Sequence, residues 1–149
     1  MRAVVQRVIS SKVSVDDKIA GSIGRGLTVL IGVEDGDTEK DAEYIAKKVC
    51  ALRVFDDDEG VMNLSVQDIE GEILAVSQFT LLGDVRKGNR PSYFQAAAPE
   101  EANSLYRKTV ELMANKGVHV EEGVFQADML VEINNDGPVT ILLESRKLF

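Results

Sequence analysis

The chain has 149 residues, within the roughly 100–200 expected of one domain, and its 44% hydrophobic content suffices for a core without covalent staples. With 17 Lys and Arg against 25 Asp and Glu it carries a formal charge of −8, which excludes a protein that coats a long phosphate backbone but leaves room for a small contact at one strand end. The lone Cys50 cannot form an intrachain disulfide, and the longest apolar run, Leu27 to Val33, falls far short of the ~18 residues of a membrane helix, so a cytosolic, non-membrane chain is expected.

No repeat, low-complexity tract or linker divides the sequence, and a single domain over 1–149 is expected. Val13 and Val15, the polar pair Asp16-Asp17, and Ile19 to Ile23 follow the two-residue period of a β-hairpin. Leu27 to Val33 is short, rich in β-branched residues and preceded by Gly24-Arg25-Gly26, which predicts a strand buried on both faces. Thr38 followed by Asp41 resembles a helix start, and Ala42, Ile45, Ala46, Val49 and Leu52 fall on one stripe, predicting a helix over 38–52. The run Asp56-Asp57-Asp58-Glu59 has Gly60 where a calcium loop needs an oxygen ligand, so a solvated turn is expected between short extended segments.

A longer strand is predicted over Ile73–Leu82. Pro99 at a first helical position, Glu100 and Glu101 beside the positive end of the helix dipole, and Gly117 as the stop predict a second helix. Three strands then follow, Val118–Val120, Met129–Ile133 and Val139–Leu143, the last two joined by a turn through Asn134-Asn135-Asp136-Gly137-Pro138. The sum is an α+β fold, a mostly antiparallel, barrel-like β core with two helices on one side.

Familiar catalytic sets are missing. His119 is the only histidine, flanked by Val118 and Val120 so that it takes the opposite strand face beside Glu121; it has neither the partners of a zinc site nor those of a Ser-His-Asp device. No metal and no cofactor are expected: Gly24-Arg25-Gly26 lacks the third glycine of a dinucleotide fingerprint, and there is no phosphate-binding loop motif. Two polar intrusions stand out. Ser77, Gln78 and Thr80 interrupt an apolar strand and either satisfy neighbouring backbone groups or line a polar pocket. Asn135-Asp136-Gly137-Pro138 reads locally as a turn. Between them Arg86, Lys87 and Arg90 form the densest basic stretch of an acidic chain, on a loop suited either to one or two phosphates or merely to solvent.

Taken together, Ser77-Gln78-Phe79-Thr80-Leu81 and Asn135-Asp136-Gly137-Pro138-Val139-Thr140 resemble the two signature motifs of the D-aminoacyl-tRNA deacylases. Met1 to Val8 is similar to that family's first strand, with smaller matches at Leu52–Phe55, Met62–Ser65 and Asn89–Ser92. Val61 stands where the family often has lysine, and Tyr93 where it often has Phe.

The resemblance implies hydrolysis of the ester joining a D-amino acid, or mischarged glycine, to the terminal adenosine of tRNA. Ser77, Gln78, Phe79 and Thr80 would form the catalytic segment. The resemblance also implies a homodimer, with Gly137 and Pro138, joined by a cis peptide, reaching from one subunit into the pocket of the other to reject L substrates. Arg86, Lys87 and Arg90 become candidate holders of the tRNA acceptor end. Two mechanisms stay open: attack by Thr80 Oγ, or assistance from the ribose 2′-OH while main-chain N–H groups near Phe79 and Thr80 hold the oxyanion, the second being favoured because no base neighbours Thr80 in the motif.

Overall fold

The computed structural model describes every residue from Met1 to Phe149. The predicted hairpin is there, on a longer first strand: β1 (Arg2–Val15) turns at Asp16 and Asp17, both at positive φ, into β2 (Lys18–Ile23). β3 (Gly26–Gly32), buried except at Leu30, pairs with the first half of β1. The first helix, α1 (Glu39–Ala51), begins where Asp41 accepts a 2.8 Å hydrogen bond from the Thr38 N–H and buries Ala42, Ile45, Ala46 and Val49. β4 (Phe55–Asp56) and β5 (Met62–Leu64) make a small separate hairpin; its turn is closed by Asp57, whose carboxylate accepts from the N–H groups of Glu59 and Val61 at 2.9 and 3.1 Å. The acidic run is therefore a turn, as expected.

β6 (Glu72–Ser77) lies parallel to β3, and α2 (Pro99–Asn115) leads to β7 (His119–Glu122), parallel to β6. β8 (Leu130–Glu144) then runs antiparallel along nearly all of β1, whose other edge is shared by β3 and β2. The sheet is mixed, antiparallel around β1 and parallel through β3, β6 and β7. It curls until Gly21 of β2 meets the backbone of Glu122 of β7, so the barrel nearly closes. Val8, Val13, Ile23, Leu74 and Val76 fill the barrel, while the two helices cover its outside over a larger core that includes Val5, Ile31, Ile73 and Tyr106. No helix is long and apolar enough to cross a membrane.

Two sequence expectations need correction. The strand predicted to reach Leu82 stops at Ser77: the Gln78 N–H makes a last ladder bond to Ile31 O at 2.7 Å, and Phe79–Leu82 winds into a 3-10 turn that buries Leu82. The turn predicted between Met129–Ile133 and Val139–Leu143 is not a hairpin turn, because both flanks pair with the same partner and belong to one strand.

Candidate active site

The first motif takes its position from the end of β6. Gly32 of β3 makes that placement possible: a Cβ there would lie 2.7 Å from Leu82 Cδ2 and 2.9 Å from Gln78 O, so any side chain would push the 78–82 segment outward. Arg2 pins the same segment from β1, donating to Leu81 O at 3.0 Å. In front of it opens a cleft of about 730 Å³, lined mainly by apolar side chains, with Ser77, Gln78 and Phe79 on one wall. The opposite parts come from Tyr93, just after the Asn89–Ser92 match, from Ala96 to Pro99 at the start of α2, and from Phe125 to Met129 ahead of β8, none of them predicted above as part of the site. The available signal was apolar side chains in a loop, Val124, Phe125 and Met129 between β7 and β8, which need something to cover. Phe79 meets Tyr93 edge to face, ring centroids 5.0 Å apart, and is still 55% exposed.

Thr80 does not line the cleft but sits at its rim, exposed. Its hydroxyl accepts from the Gln78 side-chain amide, and no carboxylate or imidazole is hydrogen-bonded to it. The N–H groups of Phe79 and Thr80, in the first turn of the 3-10 segment, donate to no protein acceptor, as expected of helix-start donors. Asp128 is the only carboxylate among the cleft residues. His119 is far from this chemistry in role, exposed beside Glu121 at 2.8 Å, and no group of three or more His, Cys, Asp or Glu is placed to hold a metal.

The second motif is built differently. On β1 Gln6 pairs with Thr140 and Val8 with Asn135, so the four residues Asp136–Val139 stand opposite the single Arg7 and leave the ladder as a protrusion. Asn135 closes its base, its amide donating to Arg7 O at 2.9 Å and Val139 O at 3.0 Å. Arg7 props it from below, donating to Val54 O at 2.7 Å and to Asp136 O at 3.3 Å, with Asp136 and Asp56 as ionic partners. The Gly137–Pro138 peptide is cis, Gly137 has φ +116°, and both residues are exposed. Neither lines the cleft of its own chain, so the structure does not bring the two motifs together within one subunit.

The basic loop forms a separate depression of about 590 Å³ beside the cleft. Its three cations are not equivalent. Arg86 grips Asp84 through Nε at 2.9 Å and Nη2 at 2.7 Å, and these bonds hold the Asp84 carboxyl far below the usual carboxylate range. Lys87 and Arg90 have no carboxylate within ion-pair distance and are exposed.

A model of the family described as D-Tyr-tRNA(Tyr) deacylase matches residues 4–144. Similar proteins named "D-aminoacyl-tRNA deacylase" occur in Thermotoga petrophila, 58% identical over 149 residues, and Desulforamulus reducens, 56% identical over 149 residues, with the whole of both chains covered in each case. Among solved structures, one titled "c-Myc DNA Unwinding Element Binding Protein" superposes with a TM-score of 0.91 at 44% identity, covering 97% of this chain and 98% of that one. Another, titled as a probable eukaryotic D-amino acid tRNA deacylase, gives 0.81 at 21% identity over 95% and 97% of the two chains, a likeness of fold.

Proposed function

From the premise that this chain belongs to the D-Tyr-tRNA(Tyr) deacylase family and is a D-aminoacyl-tRNA deacylase, we propose how it works and what it spares. The cleft takes the aminoacyl ester of the terminal adenosine, and the substrates are D-aminoacyl-tRNA and mischarged glycyl-tRNA. Such an ester is already activated, so fixed donors aimed at the developing oxyanion supply the main catalytic effect. The free N–H groups of Phe79 and Thr80 are those donors, and the ribose 2′-OH assists the attacking water.

The observation that carries this mechanism is the partner of Thr80. A threonine nucleophile needs a base within hydrogen-bond reach, and here its hydroxyl meets only the Gln78 amide, which takes no proton at ordinary pH. Ser77 and Gln78 shape and polarise the wall, while Phe79 offers its ring edge-on with Tyr93 for the adenine.

Chirality is selected by rejection in a homodimer. The protrusion of one subunit enters the cleft of the other, where the carbonyls of Gly137 and Pro138 accept from the substrate α-amino group and leave no space for an L side chain. The exposure of both residues and their absence from the walls of their own chain's cleft support this arrangement, as do exposed apolar side chains at Ile9, Leu130 and Leu142. Lys87 and Arg90 hold phosphates of the acceptor end in the cytoplasm, where aminoacyl-tRNA is used; Arg86, paired with Asp84, shapes the loop.

Side-by-side hydrolysis of D-tyrosyl-, L-tyrosyl- and glycyl-tRNA tests the reading, with Thr80→Ala and Asp128→Asn as controls. Loss of the D and glycyl esters alone, at rates both variants largely keep, is expected. A covalent acyl-Thr80 species, or collapse of the rate in Asp128→Asn with its fold intact, would replace the mechanism with a side-chain nucleophile or base. Intact esters in every tube would instead leave a module that binds tRNA ends without cleaving them.

A further inference from the structure

Phe94 is 93% exposed, an unusual position for a large apolar ring with no membrane or core to meet. Its backbone is nevertheless held on both sides. Asp84 and Ser92 exchange N–H to O bonds of 2.8 and 2.9 Å just before it, and just after it Asp35 N–H donates to Gln95 O at 2.8 Å, while Ala97 N–H donates to Val33 O at 3.0 Å. The ring is thus bare on a fixed support, which lowers the ordering cost of using it as a contact. Its surroundings are specific: Phe94 lines the depression that holds Lys87 and Arg90, whereas the preceding residue, Tyr93, lines the cleft and packs on Phe79. A stacking surface combined with unpaired cations is the signature of single-stranded nucleic-acid contact.

We propose that Phe94 is a stacking platform for the nucleotide immediately 5′ of the terminal adenosine, with Lys87 and Arg90 on the phosphate that joins the two. The inference rests on the deacylase reading and extends it from the ester to the strand that carries it. It makes Phe94 a binding residue that separates tRNA from a free aminoacyl-nucleoside, and it assigns Arg86 no phosphate, because its guanidinium is already forked onto Asp84.

Two measurements test it. The first compares Phe94→Ala with the unaltered protein on D-tyrosyl-tRNA and on D-tyrosyl-adenosine, which ends at the nucleoside. The tRNA preference, as the ratio of the two kcat/KM values, should drop by about 5- to 150-fold, through KM, and Phe94→Trp should restore it. Equal losses on both substrates, no loss, or dissociation of the subunits in Phe94→Ala would overturn the proposal.

The second measurement is independent of hydrolysis. The chain contains no tryptophan, so the indole of the Phe94→Trp variant reports alone, and a cytidylyl-cytidylyl-adenosine trinucleotide should quench it, while adenosine should not. Absence of quenching overturns the platform. Quenching without ester hydrolysis by the unaltered protein upholds the platform and overturns the deacylase reading.

Discussion

The Ser77–Thr80 segment ends a buried parallel strand and is fixed from behind by Gly32 and Arg2, whereas Gly137 and Pro138 stand out from an edge strand, exposed, over one arginine. The first inherits its rigidity from the core; the second depends on a few polar bonds at its base. That difference matches two tasks. Oxyanion donors must not move during the reaction, while a part that reaches into another molecule must first project from its own. The largest effect should therefore come from disturbing the support of the cleft. Gly32→Val forces the 78–82 segment outward, and deacylation should fall roughly hundredfold, the cost typical of a 1 Å misplacement. Thermal unfolding should also show overpacking of about 1–3 kcal/mol; an unchanged rate would show that the segment tolerates displacement.

Removing the prop beneath the protrusion should act differently. Arg7→Ala leaves Val54 O and Asp136 O without their donor, and we expect about a tenfold rise in hydrolysis of L-tyrosyl-tRNA with the D rate largely kept. Unchanged L rejection would mean that Asn135 alone holds the protrusion. Mixing subunits sharpens the contrast further. An excess of Gly32→Val subunits, with defective clefts and sound protrusions, should restore L rejection to Arg7→Ala subunits, and no restoration would place both motifs' work within one chain.

The smallest effect concerns alkali. Burial pushes the Cys50 thiol up to about 11, and burial, then the nearby Glu122 carboxylate, also pushes up the Tyr106 phenol, which donates to Ala75 O of β6 at 3.1 Å. Both groups hold their protons more firmly folded than unfolded. The Cys50 contribution is complete below the ordinary thiol value of 9.0 and is lost as pH rises through about 11, whereas that of Tyr106 is complete below the ordinary phenol value of 10.0 and is lost at higher pH still. The protection of β6 amides from exchange should fall as pH rises past the ordinary phenol value of 10.0, before protection at the protrusion does. The reverse order would show that the core half is not where these protons act.

Much of this could be read from local signals. The helix predicted over 38–52 is found at 39–51 because its stripe and its Thr38-Asp41 start agree, and Pro99 and Gly117 bracket the second helix for reasons of backbone chemistry alone. Periodicity failed where a distant partner decides. Nothing in Phe79-Thr80-Leu81-Leu82 distinguishes a strand from a 3-10 turn until Gly32 is known to lie beneath it. Asn135-Asp136-Gly137-Pro138 has turn composition, but β1 pairs with both flanks, so the segment becomes a protrusion rather than a reversal. The motif residues themselves were identifiable by resemblance. Tyr93 follows the Asn89–Ser92 match, but its place in the cleft, like that of Phe125 to Met129, comes only from the packing of loops.

The protrusion has one more effect, on solubility. β8 pairs only with β1, so its outer edge is a 15-residue row of backbone donors and acceptors, a template on which further strands could assemble into fibres. Asp136–Val139 interrupts that row near its middle with residues out of register and a proline that has no N–H to offer. What remains are two shorter runs, Leu130–Asn135 and Thr140–Glu144, that no longer offer one continuous register. Shortening the protrusion to smooth the strand would thus lengthen the unbroken edge open to edge-to-edge aggregation.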